Sequence, residues 1–126
     1  MGWVRKKEAA ARYGLSFLQI QYACSRRVVR YIQYMADEEG LRAGLEEVRS
    51  APKRWIYSTT AAKKYDITRT QIALAHVKGL LRGFWMKMGQ GWCGFLIAVE
   101  DLEANLERIK ALPRYTEAER AGAESH

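Results

Sequence analysis

The sequence predicts a mainly α-helical protein with small β-hairpins, an α+β chain made of two tandem copies of one module. Three observations carry that prediction. The first is an internal repeat, which decides the fold of any chain that has one. Displaced by 52 residues, Trp3-Val4 falls on Trp55-Ile56, Ala9-Ala10 on Ala61-Ala62 and Tyr13 on Tyr65. Gln19-Ile20 falls on Gln71-Ile72, Ala23 on Ala75 and Arg30 on Arg82, giving eight identities in the 28 positions from Trp3 to Arg30. The second is a pair of short helical runs joined by about three residues in each copy, which describes a helix-turn-helix. The third is a pair of aromatic and apolar runs around Gly89-Gln90-Gly91, the signature of a hairpin.

The second copy reads more cleanly. Trp55-Ile56 precedes Ser58-Thr59-Thr60, whose hydroxyls suit the start of a helix near Thr60 or Ala61 that runs through Lys63-Lys64-Tyr65. Asp66-Ile67 turns, Thr68 caps a second helix from Arg69 to about Lys78, and Gly79 stops it. The hairpin strands are Phe84–Met88 and Trp92–Val99. Leu102, Leu106, Ile109 and Leu112 then recur at helical spacing, predicting one helix from Asp101 to Leu112 before Pro113.

In the first copy Ala9–Tyr13 is helical, Gly14-Leu15 turns, and Ser16 caps a helix from Phe17 to about Ser25. Val28–Met35 and Leu41–Leu45 are expected as hairpin strands joined by an acidic tip, Asp37-Glu38-Glu39-Gly40, with a short helix over Leu45–Arg49. There the repeat offset is expected to grow to 54, setting Leu45-Glu46-Glu47-Val48 on Val99-Glu100-Asp101-Leu102. Ala51-Pro52 marks a boundary. The domains are thus 1–52, 53–113 and a polar, flexible tail, 114–126. Trp3, Trp55 and Trp92 are expected as core anchors, with Tyr13 and Tyr65 packed against the turns.

Composition narrows the function. The 126 residues are 48% hydrophobic and 28% charged, as in an ordinary globular protein. No apolar run is long enough for a membrane span, and the basic N-terminus lacks the apolar stretch of a secretory signal. Cys24 and Cys93 stand apart, without a metal-ligand spacing, so neither a disulfide framework nor a zinc site is expected, and a cytoplasmic location is. His76 has no Cys, His or carboxylate at helical ligand spacing, Gly89-x-Gly91 lacks the pattern of a phosphate loop, and no nucleophile motif is present. The expectation is a protein that is not an enzyme and has no cofactor or metal. The net charge of +7 is made up of +5 across residues 1–54, +3 across 55–112 and −1 in the tail, so both copies are basic, which favours a polyanionic partner.

The pattern Trp55-Ile56-x-Ser58-Thr59-x-Ala61-Ala62-Lys63-Lys64-Tyr65-x-Ile67-Thr68-Arg69-Thr70-Gln71-Ile72 is the core of a resemblance. Continued through Lys78-Gly79-Leu80-Leu81, the Gly89 turn, Trp92 and Val99-Glu100-Asp101-Leu102, it resembles the small winged helix-turn-helix domains of MerR type, above all the phage excisionases and excisionase-like regulators. It spans residues 55–112 well and 3–50 less closely. Two departures are Asp66 in place of a turn glycine and the acidic tip expected in copy one.

The resemblance implies double-stranded DNA as partner, a second helix in the major groove and a wing on the backbone. On this sequence it assigns DNA contacts to Arg69, Thr70, Gln71, Ala73, His76 and Lys78 of the second helix of copy two. Lys63, Lys64, Lys78 and Lys87 are expected on phosphates, which fix register without reading sequence. In copy one the corresponding set is Gln19, Gln21, Tyr22, Arg26, Arg27 and Arg30. Arg69 suits a guanine edge and Gln21 an adenine. Phe17, Leu18 and Tyr22 suit a protein partner or self-association better than a groove. The expected roles are transcription regulation or an architectural part in DNA recombination, at the nucleoid, with two readers about 10 base pairs apart. The alternative is an assembly adaptor of phage packaging type, in which one module makes mainly protein contacts.

Overall fold

In the computed structural model the described residues are 2–88 and 92–116, with the backbone alone of Met88, Trp92 and Cys93. The expected Gly89 turn, the Trp92 anchor, Cys93 and most of the polar tail therefore lie outside what is described. The fold is α+β. Among the described residues there are eight helices and two three-stranded antiparallel sheets. The chain divides into two units, Met1–Lys53 and Arg54–His126.

In the first unit, β1 (Trp3–Arg5) leads directly into α1 (Lys6–Tyr13), and α2 (Phe17–Ser25) follows a short turn. Gly14 makes that turn at φ +66°, a conformation most side chains resist. Ser16 caps α2 through a capping box: its Oγ accepts from the Gln19 amide while Gln19 Oε1 accepts from the Ser16 amide. Then come β2 (Tyr31–Ile32) and β3 (Met35–Asp37), with strand order β1-β3-β2, and two short helices, α3 (Glu38–Ala43) and α4 (Leu45–Arg49). The core is Val4, Ala9, Ile20, Ala23, Val29, Ala36, Leu41 and Val48.

The second unit repeats this order with β4 (Trp55–Tyr57), α5 (Ser58–Tyr65), α6 (Arg69–Val77), β5 (Gly83–Met88), β6 (Trp92–Ala98), α7 (Val99–Ala104) and α8 (Leu106–Lys110). Its strand order is β4-β6-β5. Asp66 takes the place of Gly14 and the same left-handed conformation, φ +52°. Thr68 and Gln71 repeat the capping box. The core repeats too, with Ala61, Ile72, Ala75, Leu81, Ile97, Leu102 and Ile109.

Four expectations are corrected. Copy one has no acidic hairpin tip: its strands meet at Gln33-Tyr34, and Asp37-Glu38-Glu39 instead ends β3 and opens α3, where carboxylates favour the helix dipole. Beyond the hairpin the offset is 61 residues, not 54, because Leu41 and Val48 take the core places of Leu102 and Ile109. The extra residues lie in the longer β5–β6 hairpin. The expected helix over 101–112 is two helices broken at Asn105, whose side chain donates to Leu80 O at 3.0 Å. Trp3 is 39% exposed on β1 and is no core anchor.

Candidate nucleic-acid interface

In the second unit, the N-cap at Thr68 starts α6 so that Arg69, Ala73 and His76 fall on one exposed face at helical spacing. These residues share a groove of about 710 Å³ with Trp85 and Phe95 of the β5–β6 hairpin and Ser58 of α5. Phe95 sets the wall. Its ring meets His76 edge-on at 5.1 Å and Trp85 at 5.1 Å, while lying across Gly83. A Cβ at Gly83 would sit 2.6 Å from Phe95 Cζ and 2.9 Å from Leu96 O, so this strand needs glycine for the ring to close down. Trp85 is 67% exposed at the hairpin edge, an amphipathic ring open to a partner.

His76 Nδ1 lies 2.9 Å from Leu81 O. A carbonyl only accepts, so the hydrogen bond requires the proton on Nδ1, which leaves Nε2 of the neutral ring as an acceptor. Lys63 and Lys64 are exposed in the last turn of α5, beside Thr59 and Thr60 in a shallow concavity. Lys78 caps the C-terminal end of α6, where a cation complements the dipole, and Lys87 is exposed on β5. Among the described residues none of Lys63, Lys64, Arg69, Lys78 and Lys87 has a carboxylate within ion-pair distance. Thr70 is half-buried next to Arg69. By contrast Arg82 is fixed by Asp101, with its amide and Nε donating to Oδ2 and its Nη2 to Oδ1 at 2.8–2.9 Å. Burial pushes the Asp101 carboxyl up, but the Arg82 bonds outweigh it and hold Asp101 below the usual carboxylate range.

Gln71 and Gln19 are corrections. Gln71 is fully buried, and beyond its capping box Nε2 donates to Lys110 O and Leu112 O at 3.1 and 3.0 Å. Gln19 does the same to Arg49 O and Ala51 O at 3.2 and 2.9 Å. Both fasten the second helix to the end of their own unit and present nothing to a duplex. The S/T-x-x-Q spacing of a capping box was the available signal.

The first unit assembles its predicted residues less well. Tyr22 is buried, another correction, and its hydroxyl accepts from Arg26 Nη1 at 3.1 Å. Gln21 is half-buried and accepts from Lys6 Nζ. Arg26 and Arg27 are exposed past the end of α2, Arg27 at φ +61°, and Arg30 is exposed before β2. Phe17 is exposed at the start of α2 and Leu18 half-buried. No side chain of α2 is charged. Sequence reasoning passed over Lys6, Ile32 and Tyr34, which line a second groove, and Trp85 in the first. The repeat itself held the signal for Lys6, since it aligns Arg5-Lys6-Lys7 with the uncharged Tyr57-Ser58-Thr59.

Among the described residues no group of His, Cys, Asp or Glu is placed to hold a metal ion, and no helix is long and apolar enough to cross a membrane. Comparison with protein-family models, with characterised proteins and with solved structures yields no match.

Proposed function

We propose that the chain binds double-stranded DNA as a tandem winged helix-turn-helix protein of MerR or excisionase type, with the second unit as the principal reader. In this reading α6 enters the major groove and the β5–β6 hairpin is the wing. The protein acts without catalysis, as a transcription regulator or an architectural factor in recombination at the nucleoid. The observation that carries the reading is the α6 face: Arg69, Ala73 and His76 are exposed together in one groove with the β5–β6 hairpin, while the same unit exposes Lys63, Lys64, Lys78 and Lys87, which have no carboxylate within ion-pair distance among the described residues. Exposed cations in the same unit as a face of mixed donors and acceptors match a duplex, whose phosphates supply affinity and whose base edges supply choice.

The test is selection from a random duplex library, with binding of the winner followed against salt. Arg69→Ala should cost about 1–3 kcal/mol and relax preference at one base pair, while Lys64→Ala should weaken all duplexes alike and lower the salt slope by about 1. Absence of enrichment, or an Arg69→Ala variant with unchanged preference, would reject the reading. Two enriched motifs about 10 base pairs apart would make both units readers.

One observation favours the second reading, an assembly adaptor in which the first unit makes mainly protein contacts. The α2 helix that would enter a groove has no charged side chain, and Phe17 stands where α6 has Arg69.

A further inference from the structure

The first unit has its own groove, of about 570 Å³, between the start of α1, the start of α2 and the β2–β3 turn. Its construction differs from that of the second unit at three aligned positions. Lys6 replaces Ser58, Phe17 replaces Arg69, and Tyr31 replaces the Gly83 over which Phe95 lies. Lys6 is only 6% exposed. Its Nζ donates to Gln21 Oε1 at 2.8 Å and lies 4.5 Å from the centre of the Tyr31 ring. An ammonium has three protons to donate, and burial of a charge is costly unless each is met. Among the described residues only that one hydrogen bond is made, and no carboxylate lies within ion-pair distance.

The surroundings also favour an acidic group. Arg5, Lys6 and Lys7 occupy the N-cap and first two positions of α1, where the helix dipole already favours an anion. Arg5 supplies no side-chain cap. The walls, however, are apolar: Phe17, Ile32 and Tyr34, with Tyr34 79% exposed at the hairpin turn. That turn is tied down, since the Lys6 amide donates to Tyr34 O at 2.8 Å. A duplex backbone presents hydrated phosphates and sugars, which leave such walls unused. A peptide carrying an acid beside an apolar side chain uses both.

We infer that this groove docks a protein segment in which a glutamate or aspartate meets Lys6 and a neighbouring aliphatic or aromatic side chain rests on Phe17, Ile32 and Tyr34. The inference concerns the first unit and does not depend on duplex reading by the second. The remaining ammonium protons take the carboxylate, and the local excess of positive charge selects against basic segments.

The test is selection with the full chain from a display library of random peptides about a dozen residues long. Winners are then synthesised and titrated by fluorescence anisotropy. The expected winners place Asp or Glu next to an aromatic or aliphatic residue, and exchange of that acid for its amide weakens binding at least about tenfold. Lys6→Met and Tyr34→Ala should each weaken it by a similar factor, and Arg69→Ala should not. Tyr34 is exposed at a turn, so its variant tests the groove even if Lys6→Met fails to fold. No enrichment, acid-free winners, or peptides that bind both variants as tightly as the parent would overturn the inference. So would a selected duplex that displaces the peptide and loses affinity in both variants, which would assign the groove to phosphate. Loss of duplex selectivity alone strikes the DNA reading and leaves this one standing.

Discussion

Gln19 and Gln71 show how much a single polar side chain can hold in a unit this small. Each caps its helix and also donates to two carbonyls at the far end of its unit. Gln71→Ala removes three side-chain hydrogen bonds and strands buried partners, so it should lower stability by about 2–4 kcal/mol, read as a shift in the urea midpoint. A loss below 1 kcal/mol would mean that water replaces the amide. The pairing of the two glutamines was legible as an identity in register, yet their role was not. The carbonyls they meet lie 30 or more residues downstream, and N3 of a helix can face inward or outward. The turn residues offer a cleaner test. A Cβ at Gly14 would meet no atom within 4 Å, so Gly14→Ala reports the left-handed conformation alone and should cost about 1 kcal/mol. Asp66→Gly, at the aligned position with φ +52°, should stabilise by a similar amount. Opposite signs in thermal melts would establish the turn as common to both units; equal signs would deny it.

At the level of elements, the hairpins divide what sequence could foresee from what it could not. The β5–β6 hairpin was legible because Gly89-Gln90-Gly91 interrupts two aromatic runs. The β2–β3 hairpin was misplaced because it turns through Gln33-Tyr34, with Gln33 at φ +51° and no glycine or asparagine to mark it. The nearby Gly40 drew the expected tip to a helix instead. Strands β1 and β4 were also passed over, being three residues long and defined only by partners 30 or more residues away. Each unit also has a carboxylate clamp, placed differently. In the first unit Glu38 of α3 accepts from Arg42, Tyr13 and Arg12, and the Arg42 hydrogen bond foremost holds its carboxyl low. In the second, Asp101 of α7 grips Arg82, the residue before β5. A carboxylate whose folded pKa is depressed adds stability above its unfolded value, near 4, and loses it as pH falls through the folded one. Unfolding midpoints should therefore drop below about pH 4, and Asp101→Asn should flatten part of that drop while costing about 1 kcal/mol at neutral pH after screening. An Asp101→Asn profile parallel to the parent's would separate the clamp from acid stability.

Across the whole molecule, both halves of the chain are basic, yet their cations are set out differently, and this gives the two proposals opposing consequences. The second unit exposes Lys63, Lys64 and Lys87 in addition to the α6 face, none of them paired to a carboxylate among the described residues. The first unit turns outward an uncharged helix and a groove that sets apolar walls beside Arg5, Lys6 and Lys7, with Arg26 held on Tyr22 and Arg27 and Arg30 beyond the helix end. Each phosphate contact contributes about 0.9 to the slope of log affinity against log salt. If the second unit reads the duplex and the first docks protein, replacing Lys63, Lys64 and Lys87 together by alanine should flatten that slope by about 2–3, whereas replacing Arg26, Arg27 and Arg30 should flatten it by at most about 1. The lysine variant should keep the peptide affinity of the first unit, because no member of its set lines that groove. Equal flattening by the two sets would instead make the first unit a full partner on DNA. A slope unmoved by either would remove the duplex from the account altogether, since contacts that neutralise phosphates cannot be deleted without changing counterion release.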